Sequence, residues 1–472
     1  MRGLPAIASN EAHRVRRWDV LILGTALPGL VAAARLGQRG LRVLILQEGA
    51  TDAKLELARE PWLLVDGGSD GVLFECLRAL GVPLIDQRRF DAEDVALQVC
   101  DAERRVDLGR AGHTAEEWES WGLCSQSEAR SWLQALDDAA ERERLELLGG
   151  SLSLGAARRA RDAIAAPRRS TGPRGWPAAL DAAPPVLRAV LDAPAEALAP
   201  GPGPASPEAR ARLLGGLLRG GVAARGEGLL RGLLRRRVES LYGEIRPIER
   251  SFHLVSVSGQ PGVAVEGAKE IWSGRALLLN APPAALAAAS GEPPPEGLQG
   301  APLRGRRLTV HLQGDPAQLP TPMAERLLWR DADGGMVALR IHRGQRSGDP
   351  FDLFASVRLA SDAAAAEPSV RLASDAAAAE PSARQRVERC LRDLLPFAAD
   401  RLEEHPLPER RWDSDAWLGE APRGAWPAEP ELRLSSRPPI YHLDRFAVAG
   451  LGGEGEMWLG WRAGDAIGDE LA

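Results

Sequence analysis

The sequence predicts an α/β fold in which a doubly wound, Rossmann-like domain carries an inserted α+β region with an antiparallel sheet. Three observations carry this. Residues 18–48 read as strand, glycine-containing turn, helix and strand. Residues 303–360 change to short apolar strands joined by turn signals. The 472 residues exceed what one hydrophobic core usually supports, so two connected lobes are expected.

In the first unit, Asp19-Val-Leu-Ile-Leu-Gly24 is an apolar run closed by glycine, residues 32–40 are good helix formers, and Arg42-Val-Leu-Ile-Leu46 is a second strand. Continuous apolar strands of this kind belong in a parallel sheet covered on both faces. Within Gly24-Thr-Ala-Leu-Pro-Gly29, Gly24 permits the tight turn and Gly29 a close approach of helix to sheet, while Ala26 replaces the middle glycine. Pro28 falls at the helix start, where its missing N–H matters little. Free N–H groups and the helix dipole would stabilise a diphosphate. Glu48, at the end of the second strand, is placed to accept ribose hydroxyls and disfavours a 2′-phosphate, hence NADP. Glu48→Ala is expected to weaken cofactor binding and spare the fold. The competing reading is a structural βαβ unit without a ligand.

Further along, Leu73, Phe74, Leu77 and Leu80 recur at helical spacing before Gly81, a left-handed cap candidate. Thr114-Ala-Glu-Glu117 and Ser125-Gln-Ser-Glu128 are capping-box patterns before amphipathic stretches reaching Leu148. Residues 166–208 are crowded with Pro, Ala and Gly, which predicts short, interrupted structure and mobile surface connections. A helix carrying Leu229, Leu230, Leu233, Leu234, Val238 and Leu241 ends at Gly243, and strands follow to Ala276-Leu-Leu-Leu-Asn280. Asp331-Ala-Asp-Gly-Gly335 predicts a hairpin turn within the β-rich region. Residues 356–368 are repeated identically as 369–381. One copy is expected to be looped out or appended to the helix at 383–395.

The 59 basic and 65 acidic residues give a net charge of −6, which removes the electrostatic warrant for a nucleic-acid partner. Cys76, Cys100, Cys124 and Cys390 form no C-x-x-C pair, so neither a metal site nor a disulfide framework is expected. No apolar leader or membrane-spanning run is evident, and a soluble, cytoplasmic protein is the expectation. Arg235, Arg236 and Arg237 read as a solvated helix face, with peripheral contact to anionic lipid as the alternative.

The N-terminal unit, the block from Gly226-Glu-Gly228 to Pro282-Pro283, and Phe446-Ala-Val-Ala-Gly450 with its following helix occur in the order seen in the phytoene desaturase, protoporphyrinogen oxidase and flavin amine oxidase superfamily. The chain resembles that superfamily over most of its length. Asp66-Gly-Gly68, Ala79-Leu-Gly81 and Arg105-Val-Asp-Leu108, the last expected in a hairpin, are closest to phytoene desaturase-like members. The resemblance implies bound FAD, held by a domain assembled from residues 18–112, 225–295 and 411–472. A mainly helical cap at 113–224 and a substrate domain with an antiparallel sheet at 296–410 would be inserted between these parts. It assigns the cofactor contacts to Gly24, Ala26, Gly29 and Glu48, and to Gly450 and Leu451 near the flavin ring.

Three departures stand out: Ala26, the absence of a Gly-Gly-Arg segment in Ala50-Thr-Asp-Ala-Lys-Leu-Glu-Leu-Ala-Arg59, and Leu451 in place of an acid, with Glu454 or Glu456 as substitutes. No catalytic residue is assigned. Lys54 and Lys269 lie away from the expected flavin, and only Tyr242 and Tyr441 are available for an aromatic cage, both of which count against amine oxidation. His311 and His342 read as structural, Tyr441 and His442 as candidates near the cavity, and Trp458 and Trp461 as either pocket wall or core. The implied activity is FAD-dependent oxidation or desaturation of an apolar, isoprenoid-like substrate, with an acceptor the sequence does not specify. A flavin-dependent reductase of an isoprenoid double bond and a non-catalytic assembly protein are the alternatives.

Overall fold

The computed structural model describes residues 4–7, 14–65, 71–148, 183–198, 207–224, 229–290, 303–344, 346, 348–360, 368–419 and 432–472. Asp66-Gly-Gly68, Gly226-Glu-Gly228 and most of the first repeat copy lie outside these residues.

The first sheet is built around parallel strands. Arg14–Leu23 pairs with Val43–Glu48 on one side and Glu270–Leu279 on the other; Val43–Glu48 also pairs with Glu244–Ile248, and Glu270–Leu279 with Pro439–His442. Antiparallel strands Phe252–Val257 and Gln260–Val265 extend one edge. Alternation along each strand divides the side chains between two cores. Val20, Ile22, Val43 and Ile45 face helices Leu27–Gln38, Leu230–Ser240 and Gly452–Leu471. Leu21, Leu23, Leu44 and Leu46 face the opposite side, with Phe252, Leu286 and Trp412. The uninterrupted apolar strands of the sequence follow from this two-sided burial. The expected fold class is observed.

The second sheet is mostly antiparallel, in the order Glu403–His405, Leu303–Gly314, Phe351–Ala360, Met336–His342, Arg326–Arg330, Val95–Cys100, Arg105–Gly109, with Trp417–Gly419 also paired to Leu303–Gly314. The Arg105–Gly109 hairpin therefore extends this sheet, joined by a parallel pairing to Arg326–Arg330. Helix Pro368–Leu394 covers one face, and helices Ala111–Ser120, Gln126–Leu148, Pro185–Leu198 and Pro207–Leu217 pack towards the other. The turn at 331–335 forms as expected, with Gly334 at φ +79° and Gly335 N–H on Asp331 Oδ1.

Three local outcomes differ from or resolve the expectations. Residues 185–198 form a continuous helix, because Leu187, Val190, Leu191 and Ala195 bury one face and override the composition signal. Ser125 and Glu128 make the capping box, whereas Thr114 lies inside helix Ala111–Ser120, its hydroxyl donating back to the Gly109 carbonyl. The repeat adopts two structures: Ser-Val-Arg-Leu-Ala is strand at 356–360, where Val357 pairs with both Leu308 and Val337, and helix at 369–373, continuous with 383–394. The second copy is thus the one appended to a helix. Pairing partners decide between conformations that the sequence leaves equal.

Among the described residues no helix is long and apolar enough to cross a membrane. Helix Gly452–Leu471 crosses helix Leu27–Gln38 at glycines: a Cβ on Gly460 would stand 2.2 Å from the Pro28 carbonyl oxygen. Gly460→Ala is therefore expected to lower stability by about 1–3 kcal/mol, read as a lower urea midpoint at unchanged slope.

Candidate functional site

Strand Arg14–Leu23 ends at Gly24, whose φ of +103° lies in the region glycine tolerates. Helix Leu27–Gln38 begins two residues after Thr25, with Ala26 as an N-cap lacking a side-chain bond. Asn280, from the end of the neighbouring strand, donates through Nδ2 to the carbonyls of Gly24 at 3.0 Å and Ala26 at 2.9 Å. A Cβ on Gly29 would fall 2.0 Å from that Nδ2. The close approach that Gly29 permits is thus to an asparagine that closes the turn.

Glu48 sits at the strand end as expected, but its carboxylate is engaged. Its Oε2 accepts the backbone N–H groups of Arg411 and Trp412, both at 2.8 Å, and of Asp413 at 3.2 Å, while Arg411 Nε lies 3.4 Å from Oε1. Asp413 in turn occupies the turn: Oδ1 accepts the Thr25 N–H at 2.8 Å and Oδ2 accepts the Thr25 hydroxyl at 2.8 Å. Arg59 donates to Asp413 Oδ1 at 2.8 Å, to Asp415 Oδ2 at 2.6 Å and to Thr25 Oγ1 at 2.9 Å. Asp415 also meets Arg445. Burial opposes the charge on Asp413, but Arg59 and the Thr25 donors outweigh it and hold the carboxyl below its ordinary range. Nothing in the spacing of Arg59, Asp413 and Asp415 reveals this network, since the pairs are more than 350 residues apart in sequence.

A cavity of about 610 Å³ lies beside this network, between the two sheets. Leu27, Arg59, Glu60, Asp413 and Asp415 form one wall; Arg307, Thr309, His311, Phe354 and Ser356 of the second sheet form another. Gly452, Gly453 and Glu456, at the start of the C-terminal helix, complete it. Glu60 was not singled out by sequence. Burial outweighs the Arg231 N–H bond and nearby guanidinium groups, pushing its carboxyl up to about 7. Glu456 is likewise raised by burial.

The remaining predicted residues fall as follows. Gly450 lies in the 3-10 turn Arg445–Leu451, and buried Leu451 is the residue before helix Gly452–Leu471. Glu454 accepts the Val65 N–H, whereas Glu456 faces the cavity beside Arg445. Lys269 and Tyr242 are exposed. Tyr441 bonds Glu470 and His442 is buried in the parallel sheet, and neither lines the cavity. Trp458 and Trp461 are core residues, with the Arg35 guanidinium 4.4 Å from the Trp461 ring centre. Arg235–237 is not a uniformly solvated face: Arg235 bonds Gln47 and Arg237 bonds the Leu80 carbonyl, while Arg236 is exposed.

His342 is neutralised by burial and sits edge-on to Phe354. His311, by contrast, faces the cavity, stacked on Phe354 at 4.7 Å, its Nε2 2.8 Å from Asp352 Oδ1. Lys54 donates to the same oxygen at 2.7 Å. Those two hydrogen bonds overcome burial and hold Asp352 at about 2.

As arranged, the residues at the nucleotide end do not fit a dinucleotide. The Glu48 carboxylate and the Thr25 N–H and hydroxyl are already taken by residues 411–413. Asn280 Oδ1, buried and without a partner, is an acceptor and gains nothing from a diphosphate.

No family model matches the sequence, and no curated protein matches it significantly. Solved structures do share the fold. A cofactor-binding redesign of putrescine oxidase aligns over 97% of this chain and 99% of its own at 14% identity and TM-score 0.51. Cyclohexylamine oxidase from Brevibacterium oxydans aligns over 96% and 99% at 14% identity and TM-score 0.50. An oxidoreductase from Methanosarcina mazei aligns over 95% and 99% at 12% identity and TM-score 0.52. At these identities the likeness is one of fold.

Two outcomes are expected from this geometry. Glu48→Ala leaves three backbone N–H groups without their acceptor and is expected to destabilise the fold by about 2–4 kcal/mol, measured by denaturant melts, a correction to the sparing of the fold expected from sequence. For Glu60 the folded carboxyl binds its proton more tightly than the unfolded one. Its stabilising contribution is complete below about 4.5 and is lost as pH rises through about 7. Glu60→Gln should therefore be more stable than wild type at pH 8 by about 1–3 kcal/mol, with the difference shrinking by pH 5.

Proposed function

We propose that the chain is an FAD-dependent oxidoreductase that oxidises or desaturates an apolar small molecule, an isoprenoid chain being the favoured class. The observation that carries the oxidoreductase part of this reading is the 610 Å³ cavity at the junction of the two sheets, bordered by the start of helix Leu27–Gln38 and by Gly452 and Gly453, with apolar Leu27, Leu308, Val310 and Phe354 beside its charged groups. Two glycine-associated helix starts thereby meet one cavity. Its support from fold is the full-length likeness to two proteins named as oxidases and to a third named as an oxidoreductase.

Apolar oxidation is favoured over amine oxidation because no tyrosine lines the cavity and Lys54 is tied to Asp352. A second reading, oxidation of an amine, draws on the carboxylates of Glu60 and Glu456 at the wall and on the names of the two oxidases. Reduction of an isoprenoid double bond uses the same cavity in the opposite direction.

The test is spectroscopic. Wild-type protein and Asp413→Ala, which frees the Thr25 N–H and one arm of Arg59, are held at saturating FAD without oxygen and mixed with polyene precursors, porphyrinogens and amines. Bleaching of the flavin band by the polyenes alone is the expected result. Bleaching by amines alone would install the second reading, and the absence of bound FAD from both proteins would defeat the flavin reading.

A further inference from the structure

Residues 406–416 join strand Glu403–His405 to strand Trp417–Gly419, and both strands pair with Leu303–Gly314 of the second sheet. This connection crosses to the carboxyl ends of the first sheet's parallel strands. It sets Trp412 among Leu44, Leu46, Ile248 and Phe252, with the Phe252 ring 5.3 Å away. Open α/β sheets take their ligands at that end: ribose on the acid after the second strand, diphosphate at the helix start.

The chain's own groups reproduce the polar half of that contact. Backbone N–H groups of residues 411–413 donate to Glu48 where ribose hydroxyls would donate. The Asp413 carboxylate accepts from the Thr25 N–H and hydroxyl and from Arg59 where phosphate oxygens would accept. Asp415 supplies a second negative charge to Arg59.

The geometry points to residues 410–415 as a built-in occupant of the dinucleotide groove, in which Asp413 substitutes for the diphosphate and the backbone at 411–413 for the ribose, so that a dinucleotide binds only when this strap withdraws. The inference rests on the dinucleotide reading of the groove and adds a closed state to it. In that state the cavity between the sheets stays open while its nucleotide end is shut. Because the strap's two ends are paired to the second sheet, withdrawal is a local movement of about ten residues that leaves both sheets intact.

Direct competition is the measurable consequence. ADP and inorganic pyrophosphate, which carry the diphosphate without a flavin, serve as probes beside FAD on wild type, Asp413→Ala and Asp413→Asn, with the fold of each checked by circular dichroism. Asp413→Asn keeps the shape and removes the charge. Tenfold or greater tightening of all three ligands in Asp413→Ala, with an intermediate gain in Asp413→Asn, is expected. Hydrogen exchange of the wild type should show the amides of residues 411–413 protected without ligand and released at saturating ADP or FAD.

Equal affinity in all three proteins overturns the inference, as does bound FAD with those amides still protected. Should neither variant fold, exchange on the wild type decides: fast exchange of these amides without ligand overturns the strap, and slow exchange followed by release on binding supports it. If the variants gain ADP and pyrophosphate but not FAD, the strap stands and the flavin reading fails. If the folded variants bind none of the three, the groove is no nucleotide site and both fall.

Discussion

The buried contact of Asp413 with Thr25 and Arg59 is the constraint on which the rest of the site depends. It brings a connection of the second sheet onto the turn that precedes helix Leu27–Gln38, and it does so with charges almost wholly out of water. Such a pair contributes little net stability against an apolar alternative, but breaking it by removing one partner costs about 3–5 kcal/mol. It therefore specifies an arrangement more than it strengthens one. Trp412 supplies the apolar anchor, and the Glu48 carboxylate collects the backbone donors that would otherwise be buried unpaired.

Around that contact the molecule divides into a rigid frame and an adjustable end. Parallel strands packed on both faces, and helices crossing at Gly460, leave little freedom in the frame. Polar groups concentrate at the carboxyl ends of the strands and along the cavity, where Arg59, Arg445, Asp415 and Glu456 alternate in sign. His311, on the opposite wall, shares Asp352 with Lys54. Lys54 thus links the N-terminal connection to the second sheet, a role its sequence position does not suggest.

The glycine turn, the helix and the strand ending in Glu48 were legible because each rests on local rules: a left-handed φ at Gly24, helix formers at 32–40, apolar runs on either side. The Ser125–Glu128 box and the hairpin at 331–335 were legible for the same reason. Helix Pro185–Leu198 was hidden by its proline and alanine content, because burial of one face decided it. The duplicated segment is the clearest case, with identical residues forming strand in one copy and helix in the other.

By itself the sequence determined the α/β class, the nucleotide-type turn and the acid at the second strand end, since these follow from periodicity and from residues within about thirty positions of one another. Only the tertiary structure decided what that turn and that acid bind in this state. Their partners, Asp413 and the backbone of residues 411–413, come from a connection more than 350 residues downstream. Hydrogen bonds and ion pairs are fixed by distance in space, and no local pattern encodes which distant carboxylate will arrive.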